Sequence, residues 1–161
     1  MATKAVLGIS PGTRTVGLAI IRNGELVEWK VKTFKETWSM DKRKAILATI
    51  HALCGYHGIG TIALKKVDPL RSSPELDLLV AAIMRQAARN GVTVKQYSLS
   101  DLDFDLETGK KQTKKDLNGH VAEQHPELRK EYLRERNNRR EYHTKMFEAV
   151  AMAELLLRER R

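Results

Sequence analysis

The chain of 161 residues contains 29 Lys and Arg against 20 Asp and Glu, a formal net charge of +9. This length suits a single domain over residues 1–161, and the charge favours a polyanionic partner, most commonly nucleic acid. The lone Cys54 can form no internal disulfide, the amino terminus lacks a signal-peptide layout, and no apolar run approaches the ~20 residues of a membrane span. We therefore expect a cytoplasmic protein with no membrane association.

The first thirty residues predict an antiparallel meander of three strands. Residues 6–21 form two apolar runs separated by Pro11-Gly12, a pattern typical of two adjacent antiparallel strands. Asn23-Gly24 then leads into a third run over 26–31, and Asn-Gly is the dipeptide that most readily supplies the positive φ angles of a type I′ turn.

The next seventy residues alternate helices and strands. Apolar residues recur at helical spacing over 41–54, and a strand over 61–67 ends at Asp68-Pro69. Ser73 is the predicted N-cap of a helix that ends at Asn90, and a fifth strand follows over 92–97. The order βββαβαβ predicts an α/β fold with a five-stranded mixed sheet: an antiparallel meander of three strands plus two parallel strands, flanked by helices.

The last third of the chain is more polar. Residues 101–107 alternate acidic and apolar side chains, but Leu106 occupies the glycine position of an EF-hand loop, so an edge strand or capped turn is the better interpretation. We then predict a basic loop, a short helix over 113–124, a charge-rich segment over 127–141 and a final amphipathic helix over 141–158.

Two segments resemble the RuvC-type Holliday junction resolvases of the ribonuclease H-like superfamily. Residues 7–14, Leu-Gly-Ile-Ser-Pro-Gly-Thr-Arg, resemble the family's first strand and its Gly-Ile-Asp-Pro-Gly-Ser-Arg motif. Residues 145–153 resemble its final helix motif, Asp-x-x-Asp-Ala-Leu-Ala-Ile-Ala. The resemblance implies a ribonuclease H-like fold and, in active members, an endonuclease that holds two divalent cations with carboxylates.

The resemblance aligns the family's four acidic positions with Ser10, Lys65, Lys145 and Glu148. Lys65 lies where the family's apolar strand ends in Glu-Gln-Val, and Glu148 is expected to pair with Lys145 or Lys65. Two ammonium groups and one carboxylate carry a formal charge of +1, whereas two divalent cations need about −4. We therefore expect no metal site, no cofactor and no catalysis at these degenerate positions.

The same resemblance and the positive charge favour a protein that binds nucleic acid, first of all DNA, through its phosphate backbone. Lys115 lies roughly where the family has a functional lysine. The predicted nucleic-acid-binding residues are Arg14, Lys65, Lys66, Lys110, Lys111, Lys114 and Lys115.

Two alternative functions stay open. The protein could be an active Mg²⁺- or Mn²⁺-dependent endonuclease, resembling a Holliday junction resolvase, whose acids have moved to Asp68, Asp101 or Glu141. It could be a protein-interaction scaffold without a nucleic-acid role, in which Lys65 and Lys145 only balance charge inside the fold. Family members act as homodimers, and the exposed face of the helix over 73–90 could provide such an interface.

Overall fold

The computed structural model describes residues 5–102, 114–137 and 142–160, with only the backbone of residues 114 and 115. Its strands are β1 (Ala5–Ser10), β2 (Thr15–Arg22), β3 (Glu25–Thr33), β4 (Ile59–Lys65) and β5 (Thr93–Tyr97). Its helices are α1 (Met40–His57), α2 (Pro74–Arg89), α3 (Lys114–Gln124), α4 (Arg129–Asn137) and α5 (Thr144–Glu159). No helix in these ranges is both long enough and apolar enough to cross a membrane.

The five strands form one mixed sheet in the order β3-β2-β1-β4-β5. The pairs β1 with β2 and β2 with β3 are antiparallel, whereas β4 lies parallel to both β1 and β5. Asn23 and Gly24 both adopt positive φ, 53° and 80°, in the tight turn between β2 and β3. The predicted five-stranded α/β fold is confirmed.

Helices cover both faces of the sheet because the buried strands alternate apolar side chains between two cores. Leu7 and Ile9 of β1 belong to the core beneath α1 and α2, together with Ile50. Val6 belongs to the opposite core, which contains Phe147 of α5. Since side chains alternate along a strand, Gly8 and Ser10 share the face of Val6 and point toward α5.

Two glycines let α5 approach the sheet closely. A Cβ atom on Gly8 would lie 2.0 Å from the Ala149 carbonyl oxygen, and one on Gly17 would lie 2.1 Å from the Lys145 carbonyl oxygen. Only a hydrogen atom fits at these two positions. The backbone of α5 therefore packs directly on β1 and β2, which brings its side chains to the end of β1.

Several boundaries differ from the prediction. The final helix begins at Thr144 rather than at residue 141, and the charge-rich segment contains a short 3-10 turn, Pro126–Leu128, before α4. Asp101 lies in a capped turn, where its Oδ2 accepts the Ser98 amide at 2.8 Å; the rest of the predicted acidic strand, 103–107, lies outside the described residues.

The helix proposed as a homodimer interface, α2, has an exposed outer face, on which Leu78 is 50% exposed. The homodimer stays a prediction.

Candidate functional site

A cleft of about 470 Å³ opens at one edge of the sheet, where β1, β4 and β5 end. These three strands are parallel neighbours, so the residues that follow them meet at the same edge. Open parallel sheets bind their ligands in crevices at this edge. Pro11 follows β1, Lys66 follows β4 and Ser98 follows β5, and all three line the cleft.

Glu148 lies beside this cleft and is held by two side chains from the sheet. Ser10 at the end of β1 donates its hydroxyl hydrogen to Oε1 at 3.1 Å, and Lys65 at the end of β4 donates from Nζ to Oε2 at 2.7 Å. Glu148 is 1% exposed and Ser10 is fully buried. Both carboxylate oxygens are therefore engaged by donors from the chain itself.

Lys145 lies one helical turn before Glu148, so both side chains leave α5 on the same face. Its Nζ donates to the Pro11 carbonyl oxygen at 3.3 Å. A Cβ atom on Gly12 would lie 2.9 Å from Lys145 Cε, so the glycine leaves room for this side chain. The structure thus brings Ser10, Lys65, Lys145 and Glu148 together, and Glu148 pairs with Lys65.

Positive charge predominates on the cleft walls. Among the described residues, the charged side chains that line it are Lys65, Lys66, Arg71 and Lys145, against one carboxylate, Asp68. Asp68 Oδ1 accepts the Leu70 amide at 3.0 Å and thereby caps a short 3-10 turn, Pro69–Arg71. Sequence reasoning missed Arg71, although its position just beyond β4 places it at the same sheet edge as Lys66.

The other predicted nucleic-acid-binding residues lie elsewhere. Arg14 is exposed in the connection between β1 and β2, where its carbonyl oxygen accepts the Phe34 amide at 2.8 Å, and it does not line the cleft. Lys114 and Lys115 are the first two residues of α3, and only their backbone is described. Lys110 and Lys111 lie outside the described residues.

The donor set at these positions does not fit Mg²⁺ or Mn²⁺. Such ions are hard cations that need several oxygen ligands, and carboxylates supply the balancing charge. Glu148 is the only carboxylate among the four converging side chains, and the Lys65 ammonium lies 2.7 Å from it. A dication about 4 Å from that ammonium would be repelled by about 8 kcal/mol at an effective dielectric constant near 20, which offsets about half of the attraction of one carboxylate oxygen coordinated at about 2.1 Å.

The displaced acids that lie within the described residues are not assembled into a metal site either. Within the described ranges, no group of three or more His, Cys, Asp or Glu could hold a metal ion. Asp68 lines the cleft, but Asp101 caps the Ser98 amide, and Glu141 lies outside the described residues. Among the described residues, the cleft lining therefore contains a single acidic side chain.

A buried glutamate fixes the start of α5. Glu135 of α4 accepts the amides of Tyr142 and His143, each at 2.7 Å, and the Thr144 hydroxyl at 3.2 Å. The first amides of a helix have no partner within it, and a carboxylate also complements the positive end of the helix dipole. The charge pattern indicated an exposed, solvated segment here, so the buried Glu135 and its contacts with the start of α5 were missed.

Comparison with solved structures establishes the fold. T. thermophilus RuvC in complex with a Holliday junction substrate is similar with a TM-score of 0.69 and 17% identity, over 97% of this chain and 96% of that chain. A second Thermus thermophilus RuvC structure gives the same TM-score and identity over 96% of each chain. The fowlpox virus resolvase, in complex with Holliday junction DNA, has a TM-score of 0.62 and 10% identity, over 96% of this chain and 99% of that chain.

These similarities confirm the predicted RuvC-like, ribonuclease H-type fold across nearly the whole chain. Neither a scan against known protein families nor a search of curated proteins finds a match to the sequence.

Proposed function

We propose that this protein is a noncatalytic RuvC-like protein that binds the phosphate backbone of nucleic acid, first of all DNA, in the cationic cleft. The observation that carries the proposal is the contact between Lys65 Nζ and Glu148 Oε2 at 2.7 Å. It puts an ammonium group against the one carboxylate of the degenerate site. Two of the similar structures hold Holliday junction DNA, which supports DNA as the first ligand to test.

The charges in the cleft favour phosphate. Lys65 is balanced by Glu148, whereas Lys66, Arg71 and Lys145 line the cleft against Asp68. Cations that neutralise phosphates release condensed counterions, so their contribution weakens as salt increases. Guanidinium and ammonium groups on one concave surface provide such contacts without any base-specific hydrogen bond.

The test is a binding titration with a labelled four-way junction, a duplex and a single strand at two salt concentrations. If three cations contact phosphates, affinity should fall about 40-fold between about 50 mM and 200 mM salt. K66Q and R71Q should each reduce the slope of log affinity against log salt by about one. Arg89→Gln is the matched control, because Arg89 is exposed at the far end of α2 from the cleft. Binding that is absent or insensitive to salt would favour the scaffold alternative.

Catalysis is tested separately, by incubating the same DNAs with Mg²⁺ or Mn²⁺. We expect no cleavage, because the donor set does not fit these ions. Cleavage that disappears in Glu148→Gln would overturn the noncatalytic proposal and support the endonuclease alternative. Cleavage that persists in Glu148→Gln but disappears when Asp68, Asp101 or Glu141 is replaced would also overturn the proposal, whereas cleavage that persists in all four variants would indicate a contaminating nuclease.

A further inference from the structure

We propose that the cleft receives one unstacked nucleotide, with its phosphate on the lysines and its base against an apolar wall, so that the protein prefers single-stranded to duplex DNA. This inference rests on the proposed function and specifies its substrate. It begins from a feature that phosphate binding alone does not require: apolar side chains line much of the cleft, among them Pro69, Leu76 and Leu99.

The apolar wall is built from two elements. Leu76 in the first turn of α2 and Leu99 just after β5 are both partly buried, each packed against one of the two cores. Both also line the cleft, so each presents part of its side chain to the cavity. Such a surface gains free energy by excluding water from another apolar surface. A duplex directs its charged phosphates outward, whereas an unstacked base offers an apolar face.

Lys145 and Leu99 lie at opposite ends of the cleft. Pro11 and Lys145 lie at the β1 end, Lys65 lies at the end of β4, and Leu99 lies beyond β5. Neighbouring strands are about 4.8 Å apart, so the distance from the β1 end to the β5 end is about 10 Å. If the lysines hold the phosphate, the sugar and base of the same nucleotide would therefore extend toward β5 and α2.

Hydroxyl groups lie at the same end as the apolar wall. Ser98 and Ser100 both line the cleft, and their Oγ atoms are 2.7 Å apart. A hydroxyl can donate and accept hydrogen bonds, which suits the edge of a base. The volume of about 470 Å³ also falls in the range of about 300–1,000 Å³ that is usual for small-molecule sites.

The preference for single-stranded over duplex DNA follows from the concave shape of the cleft. A base in a duplex must be unpaired and unstacked before it can enter a concave site, whereas a single-stranded base is already accessible. The cleft wall contains no aromatic residue among the described side chains. Contact with the base therefore depends on burial rather than on ring stacking, which predicts tolerance of different bases.

The experiment compares a thymidine 12-mer, an abasic 12-mer of the same charge and a duplex of the same length, each bound to the full chain. The thymidine strand should bind at least about fivefold more tightly than the abasic strand, because only the thymidine strand has a base that can bury apolar surface against the wall. Leu99→Ser should weaken binding of the thymidine strand more than binding of the abasic strand and so remove most of that difference. Leu78→Ser is the control, since Leu78 is exposed on α2 and does not line the cleft.

The outcomes separate this inference from the proposed function. Equal, salt-sensitive binding of the thymidine and abasic strands would overturn the nucleotide site and leave phosphate binding intact. Tighter binding of the duplex than of the thymidine strand would also overturn it. Absence of salt-sensitive binding to any of the three would overturn both. The comparison of ligands on the unmodified chain needs no variant, so the test holds even if Leu99→Ser fails to fold.

Discussion

The Lys65 ammonium lies 2.7 Å from the Glu148 carboxylate and joins the end of β4 to the middle of α5. Glu148 is 1% exposed, so its charge has little water to stabilise it and depends on Lys65 and on the Ser10 hydroxyl. The pair thus links the strand and the helix that carry the degenerate positions.

Loss of Lys65 should destabilise the fold because it leaves Glu148 charged and buried. We expect Lys65→Met to lower the free energy of unfolding by about 2–3 kcal/mol, less than for a fully buried pair, since the Lys65 side chain is 16% exposed. The double variant K65M/E148Q should be more stable than the sum of the single changes implies, by at least about 1 kcal/mol. Denaturant unfolding measures all three variants. Strict additivity would show that the two side chains do not interact in solution.

Restoring carboxylates should create a metal site. The variant S10D/K65E/K145D carries four acids at positions that converge in the structure, so mutual repulsion should lower its melting temperature when no metal is bound. Added Mn²⁺ should raise that melting temperature, because a ligand that binds only the folded state stabilises it. The unaltered chain, in which Lys65 opposes the metal, should show no such rise. A similar rise in both proteins would refute the charge argument.

The glycines beneath α5 should be intolerant of a methyl group. Gly17→Ala would set Cβ 2.1 Å from the Lys145 carbonyl oxygen, so α5 must move or the variant must lose at least about 3 kcal/mol of stability. Gly55→Ala provides the contrast, because Gly55 is exposed within α1 and a Cβ there meets no atom within 4 Å. That substitution should raise stability by about 0.5–1 kcal/mol. Thermal or denaturant unfolding of the two variants should therefore move in opposite directions.

His125 should make stability depend on pH. The hydrogen bond to Glu154 raises the pKa of His125; burial opposes this change, and the charges of Glu154 and Glu127 reinforce it. A raised folded-state pKa means that the stabilisation is complete below the unfolded value near 6.5 and is lost as pH rises through the folded value. The free energy of unfolding should therefore fall as the pH rises from about 6.5 through the folded-state pKa of His125. His125→Asn should flatten the dependence of the free energy of unfolding on pH. An unchanged dependence in the variant would show that other titrating groups cause it.

Local patterns in the sequence were enough to predict the order of elements and the sheet. Asn23-Gly24 indicated the turn between β2 and β3, and Ser73 caps α2 by accepting the Leu76 amide at 3.1 Å, as predicted. The start of the last helix was placed three residues too early, at 141 rather than at Thr144. The two residues just before it, Tyr142 and His143, donate their amides to Glu135 of another helix, and local helix signals do not reveal such a partner.

The sequence by itself predicted which residues occupy the four acidic positions of the resemblance. The glycine, proline and small-residue framework of residues 7–14 and 145–153 aligns Ser10, Lys145 and Glu148, and the strand match over 62–67 aligns Lys65. The sequence also determined the sign of the charge at those positions. Only the tertiary structure decided that Glu148 pairs with Lys65 while Lys145 contacts Pro11, since several partners lie within reach of a flexible lysine and packing selects among them. Likewise, Arg71, Leu76 and Leu99 share one cleft because three parallel strands end at the same sheet edge, a proximity that exists only in the folded chain.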